Sequence, residues 1–129
     1  MKFISKEWFV EHEKLLKAEF SKPSTSSAEL VEIYQNCDSD KTSWVYYRIV
    51  SGLLEEIKRG DGADNLPRAM FRVFGEYENF VSVIKGELDP KKGLMTGKFK
   101  LEGNMMKAMG LLGIYARITE CKKVPGMEM

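Results

Sequence analysis

The sequence predicts one α+β domain with a mainly antiparallel sheet, and three observations lead to this fold class. The chain has 129 residues, a length typical of one domain with one core. Apolar residues make up 43% and charged residues 30%, a balance that excludes a disordered or membrane-spanning chain. Segments with helical spacing stand before, between and after segments typical of strands, in the order ααβββααβα. We therefore expect residues 1–129 to form a single domain.

Two helices are predicted at the beginning of the chain. Over residues 5–20, Ser5 suits the N-cap and the apolar side chains that follow lie on one broad face. A polar segment over 21–26 interrupts this pattern. A second helix is predicted over about 27–37, where the apolar residues keep the i, i+3, i+4, i+7 spacing of a helix: Leu30, Ile33, Tyr34 and Cys37.

Three strands are predicted next. Residues 43–50 are aromatic and β-branched, which favours a strand, and a tight turn at Ser51-Gly52 returns the chain along 53–59. A loop then leads to a third strand over 68–75. Because the connections are short, these strands are expected to form an antiparallel meander.

Helical spacing returns from Tyr77 to Ile84 and is expected to end near Gly86. Asp89 and Pro90 then provide an N-cap and a first helical residue for a short helix over about 90–95. A fourth strand is predicted over 98–102, with Phe99 and Leu101 inward, and a final helix over about 105–122.

The final helix carries apolar side chains on two faces, whereas a surface helix needs only one. Three of the eight methionines stand near its beginning, at Met105, Met106 and Met109. Two apolar faces indicate burial between layers, contact with a partner chain, or a cavity along one face. Methionine is flexible and polarizable, and this suits a cavity for ligands of varied shape.

The residue content excludes several kinds of chemistry. The single histidine, His12, lies on the apolar face of the first helix, and we interpret it as a buried, hydrogen-bonded structural residue. Cys37 and Cys121 lack the spacing of a zinc site, and we interpret them as two reduced structural thiols, although a disulfide between them stays open. No nucleophile and base are recognisable, so we expect no metal, no cofactor and no enzyme activity. Twenty basic against nineteen acidic residues give no indication of nucleic-acid binding.

Two segments carry a family resemblance. The first spans residues 80–90 and ends with the step Gly86-Glu87-Leu88-Asp89-Pro90, and the second spans 95–105 and contains Gly97-Lys98 and Gly103-Asn104. In this order they resemble the sterol carrier protein type 2 family, most strongly over about 68–112. The residues around Arg68 and the asparagine at 104 depart from the family pattern.

The resemblance implies a curved sheet with helices over one face and an apolar tunnel between them. It also implies non-catalytic binding and intracellular transfer of a lipid, such as a fatty acid, acyl-CoA, sterol or isoprenoid-type molecule. We expect the final helix to act as the gate. The predicted ligand-binding residues are Phe71, Val73, Phe80, Ile84, Met95, Phe99, Met105, Met109 and Leu112.

Two alternatives stay open. The extra apolar face of the final helix could instead serve an interaction module or a homodimer, since domains of this type also occur attached to enzymes. The least supported hypothesis is an enzyme that acts on acyl-CoA. Lys91 and Lys92 beside the expected mouth would suit transient contact with a membrane surface. Neither a secretory signal nor a peroxisomal address is recognisable, so a cytoplasmic location is expected.

Overall fold

The computed structural model describes residues 1–37 and 40–129, and the helices and strands of this part alternate along the chain. In order they are α1 (Lys6–Glu19), β1 (Ala28–Gln35), β2 (Ser43–Val50), β3 (Leu53–Asp61), β4 (Phe71–Glu76), α2 (Tyr77–Ile84), α3 (Pro90–Met95), β5 (Phe99–Glu102), α4 (Met105–Met109) and α5 (Leu112–Glu120).

The strands form one mixed sheet in the order β3-β2-β1-β4-β5. Three of its neighbouring pairs are antiparallel, and β1 and β4 run parallel. The predicted fold class, α+β with a mainly antiparallel sheet, is therefore confirmed. The predicted meander is wrong in one respect, because β4 does not continue from β3 at the sheet edge but lies beside β1.

The predicted helix over 27–37 is also wrong, because residues 28–35 form the central strand β1. Leu30 and Tyr34 face the helices, while Val31 and Ile33 belong to a second apolar cluster on the other face. A strand buried on both faces loses the alternation of apolar and polar residues. Its apolar positions then reproduce helical spacing by coincidence.

The other helices begin where local chemistry predicts. Ser5 caps α1, since its Oγ accepts a hydrogen bond from the Trp8 backbone N–H at 3.1 Å. Asp89 caps α3 in the same way, and Pro90 occupies the first turn. The predicted final helix over 105–122 is divided into α4 and α5, with the break at Gly110 and Leu111.

The helices cover one face of the sheet, and the main core lies between them. Trp8 and Leu16 of α1, Phe80 of α2 and Ile118 of α5 are buried there against the strands. The opposite face holds the smaller cluster, around Val31, Ile33 and Tyr46, against which Leu66 and Ala69 pack. An apolar cavity lies on the helical side, beside β4 and β5.

Candidate functional site: an apolar cavity beneath α3, α4 and α5

A cavity of about 60 Å³ lies between the sheet and the helices α3, α4 and α5. Among the described residues that line it, Tyr115 alone carries a polar side-chain group, and the others are apolar. The lining residues are Leu30, Phe71, Val73, Pro90, Leu94, Phe99, Leu101, Ala108, Leu111, Leu112, Ile114 and Tyr115. Such a wall offers a ligand contact area but almost no hydrogen bonding.

Phe99 is held in the cavity wall by two glycines. It points inward from β5, and Gly75 of β4 and Gly93 of α3 lie on either side of its ring. A Cβ atom at Gly75 would stand 2.5 Å from the Phe99 ring, and one at Gly93 would stand 2.4 Å away. Both distances are too short for a side chain, so these glycines allow α3 to pack closely over β5.

The outer wall of the cavity is held much less firmly. None of the residues of α4 is buried, and only the half-buried Ala108 reaches the cavity lining. Gly110 ends α4, and Gly113 lies in the first turn of α5 with open space where a Cβ would stand. Glycine lowers helix stability by about 1 kcal/mol relative to alanine. The segment from α4 to the beginning of α5 is therefore the least buried part of the wall.

The inner wall, in contrast, is backed by a buried ion pair. The Lys122 Nζ lies 2.6 Å from the Glu32 Oε2, and both side chains are removed from solvent. The Tyr115 hydroxyl donates to the same oxygen at 2.6 Å, and the Tyr34 hydroxyl donates to Oε1 at 2.8 Å. Burial alone would raise the pKa of Glu32, but the charge of Lys122 and these hydrogen bonds hold it below its ordinary value.

A neutral histidine adjoins this ion pair. The Cys121 carbonyl oxygen lies 2.6 Å from His12 Nδ1, so Nδ1 donates and Nε2 accepts from the Tyr47 hydroxyl at 2.9 Å. Burial lowers the pKa of His12 to about 4 against the opposing effect of the Cys121 carbonyl. The indole of Trp8 stacks on the imidazole and donates to the Lys122 carbonyl at 3.0 Å. His12 is thus buried and hydrogen-bonded, as expected, and it fixes the C-terminal end of α5.

The structure brings four of the nine predicted site residues together around the cavity: Phe71, Val73, Phe99 and Leu112. Phe80 and Ile84 are buried in the core outside the cavity lining. The three methionines point away from the cavity: Met95 is 79% exposed, Met105 57% and Met109 56%. The structure does not place these three methionines in the cavity wall, in contrast to the prediction. A role of any of the nine in ligand binding stays a prediction.

Sequence reasoning missed most of the remaining lining residues and the ion pair behind them. Leu30 was missed because residues 27–37 were predicted to form a helix. Ala108 was missed because the three larger apolar side chains near it, the methionines, were taken as the better candidates for a cavity wall. A usable signal existed for Glu32: it is a charged residue within the apolar run Val31 to Tyr34. In a central strand, such a residue is expected to have a buried partner.

Comparisons with known proteins agree with this geometry. Residues 55–115 match the model of the SCP-2 sterol transfer family. The chain is 27% identical over 92 residues to the oleate-induced peroxisomal protein POX18 of Candida maltosa, covering 71% of this chain and 68% of that protein. The fold is similar to a crystal structure of sterol carrier protein 2, with a TM-score of 0.73, 17% identity, and coverage of 95% of this chain and 99% of the other.

A second similar structure is the solution structure of palmitated SCP2L2 from Aedes aegypti, with a TM-score of 0.57 and 16% identity over 85% of this chain and 93% of the other. Residues 55–115 are therefore similar to the SCP-2 sterol transfer family, and the α+β fold is similar to that of solved sterol carrier proteins. No helix among the described residues is long and apolar enough to cross a membrane, and no three metal-ligating side chains cluster in this part of the chain.

Proposed function

We propose that this chain binds one fatty acid, or a similar single-chain lipid, in the cavity and transfers it without chemical change. The observation that carries this proposal is the combination of an apolar wall with a loosely held outer segment, α4. A site for catalysis would need acid–base or nucleophilic groups at the cavity, and the lining residues are aliphatic or aromatic. The cavity therefore favours storage of an apolar molecule over its conversion.

Lipid entry requires the cavity to expand. A volume of about 60 Å³ is smaller than the engineered cavity of about 150 Å³ that accommodates benzene in another protein. A long acyl chain is larger than benzene, so part of the wall must move when it enters. The segment that costs least to displace is α4, because its movement exposes little buried surface.

The free energy of chain burial is sufficient for useful affinity. Each CH₂ group transferred from water contributes about 0.8 kcal/mol, so about a dozen groups contribute about 10 kcal/mol. The cost of association is about 4–15 kcal/mol, so burial of a chain of this length offsets it where little of the protein has to be ordered. Displacement of α4 exposes little buried surface and adds little to this cost.

The polar groups behind the cavity favour entry of the lipid tail first. The Tyr115 hydroxyl donates to Glu32, and the Lys122 ammonium group is paired with the same carboxylate. Neither group has its charge or donor directed toward the cavity, so a carboxylate placed inside would lack a partner. Burial of an unpaired charge is costly, and the headgroup is therefore expected at the mouth.

The relatives support an acyl chain as the ligand. The Aedes aegypti structure is described as palmitated, and the Candida maltosa relative is described as induced by oleate. A cytoplasmic location of the present chain stays a prediction, because that relative is described as peroxisomal. Sterols and acyl-CoA stay among the ligand classes that competition experiments should include.

The test is titration of the delipidated protein with a fluorescent fatty acid. Ala108→Asp introduces a carboxylate into the cavity wall and is expected to weaken uptake by more than tenfold. The matched control is Ala116→Asp, the same change at an exposed position of α5, which should bind nearly as wild type. Unchanged uptake in Ala108→Asp, with both variants showing the wild-type far-UV circular dichroism, would exclude this cavity as the site.

A further inference from the structure

The exposed apolar side chains of this protein are concentrated in one region. Of the eleven large apolar residues that are exposed in the described part of the chain, five lie within residues 91–112. We refer to them as the methionine face: Met95, Met105, Met106, Met109 and Leu112. Met106 is the most exposed of them, at 87%. Exposed apolar groups gathered in this way indicate a surface that binds a partner.

The methionine face adjoins the cavity wall. Leu94 of α3 and Ala108 of α4 both line the cavity, so both helices contribute to this wall. Met95 directly follows Leu94, and Met106 and Met109 stand beside Ala108 on the solvent side of α4. A partner on this face would therefore meet the entrance through which the proposed ligand passes.

The same region is strongly basic. Residues 91–112 contain five lysines and one acidic residue, Glu102, although the whole chain has a net charge of only +1. Glu102 lies 3.3 Å from the Arg72 guanidinium, and the neighbouring Asp89 accepts a hydrogen bond at the beginning of α3. The lysines of α3 and α4, Lys91, Lys92 and Lys107, are exposed. A partner with complementary chemistry has an apolar interior and an anionic surface.

We propose that the methionine face docks on an anionic lipid bilayer. The flexible methionine side chains insert between the headgroups, the lysines contact the lipid phosphates and carboxylates, and the mouth of the cavity faces the membrane. This deepens the proposed function, since it names the source and destination of the lipid that is carried. A second copy of the chain fits less well, because two lysine-rich faces would repel each other.

The charge contribution to this binding is measurable. Each lysine close to an anionic membrane surface strengthens binding by about fivefold, and salt weakens the effect. Loss of two lysines is therefore expected to weaken binding by about 25-fold at low ionic strength. Insertion of methionine depends on burial of apolar surface and is less sensitive to salt.

The experiment is flotation of the full chain with vesicles of phosphatidylcholine alone or of phosphatidylcholine mixed with phosphatidylserine. Wild type should float with the mixed vesicles and bind the neutral ones at least tenfold more weakly. Met106→Glu and the double change Lys91→Gln with Lys92→Gln should each lose most of this binding. The matched controls are Val10→Glu, an exposed apolar position on α1, and Lys14→Gln with Lys17→Gln, which removes two exposed lysines elsewhere.

Equal binding to both kinds of vesicle, or equal losses in the controls, would overturn the proposal. A protein that sediments as a dimer and becomes a monomer on Met106→Glu would show that the face binds a second copy instead. Fatty-acid uptake is measured in parallel in vesicle-free solution. Uptake without vesicle binding overturns the docking surface alone, and vesicle binding without uptake overturns the proposed function while docking stands.

Discussion

Lys122 and Glu32 form an ion pair of 2.6 Å in the interior of the protein, and they join the C-terminal end of α5 to the central strand of the sheet. The Tyr115 hydroxyl binds the same carboxylate oxygen from the cavity wall. The pair therefore fixes one end of α5, whereas α4, which precedes the other end, has no buried residue. In the proposed function, this contrast allows the cavity to open without unfolding.

Removal of one partner of this pair should destabilise the protein strongly. Lys122→Met leaves the Glu32 carboxylate buried without a counter-charge, and breaking a buried pair in this way costs about 3–5 kcal/mol. Urea unfolding followed by tryptophan fluorescence measures the loss. Combining Lys122→Met with Glu32→Gln should recover part of it, because the uncompensated charge disappears. A single variant within 1 kcal/mol of wild type would show that the pair contributes little.

Mild acid should destabilise the protein through His12. Burial lowers its pKa from 6.5 to about 4, so the folded state stays neutral while the unfolded state takes up a proton below pH 6.5. Stability is therefore unaffected by this group above pH 6.5 and is lost as the pH falls toward 4. Between pH 7 and pH 4.5 the free energy of unfolding should fall by about 2 kcal/mol.

The control for this pH dependence is His12→Gln, measured by urea unfolding at the same two pH values. The pKa values of Glu32 and Asp61 are lowered below their ordinary values of 4.5 and 3.8, so most of the stability that these carboxylates contribute is lost below this window. The variant should be less stable at pH 7 but should lose less on acidification. If the free energy of unfolding of His12→Gln fell as much between the two pH values as that of wild type, other groups would cause the acid sensitivity.

Local chemistry in the sequence was sufficient for those elements whose boundaries depend on neighbouring residues. Ser5 and Asp89 identified the beginnings of α1 and α3, and the alternation around Phe99 identified β5. The position of β1 could not be found in this way, because a strand between two neighbours and two apolar layers has no exposed face to show its period. Its parallel pairing with β4 follows from contacts between residues more than thirty positions apart.

Four of the nine predicted site residues line the cavity, and the other five do not. Phe71 and Phe99 lie on strands whose inward face the alternation reveals, and both line the cavity. The methionines were misplaced because apolar character in a sequence does not distinguish a buried cavity wall from an exposed apolar surface. In the structure α4 ends at Gly110, and Ala108 is its one residue among those that line the cavity.

Close packing of α3 on Phe99 makes Gly93 a sensitive position. Gly93→Ala would place a Cβ 2.4 Å from the Phe99 ring, and the resulting overpacking should cost about 1–3 kcal/mol. The matched control is Gly113→Ala, where the added Cβ meets open space and the free energy of unfolding should rise slightly. Thermal unfolding of the two variants gives the comparison, and equal midpoints would argue that α3 shifts to accommodate the methyl group.

Stiffening the connection between α4 and α5 should slow lipid entry without weakening the fold. A Cβ at Gly110 would lie 3.4 Å from the Lys107 carbonyl oxygen, and the one at Gly113 meets nothing, so alanine fits both positions. Gly110→Ala with Gly113→Ala should add about 1 kcal/mol of stability by reducing the freedom of the unfolded chain. It should also favour a continuous helix over the open arrangement that a long ligand needs. Stopped-flow mixing with a fluorescent fatty acid should then show slower uptake, and an unchanged rate would mean that the ligand enters without movement of α4.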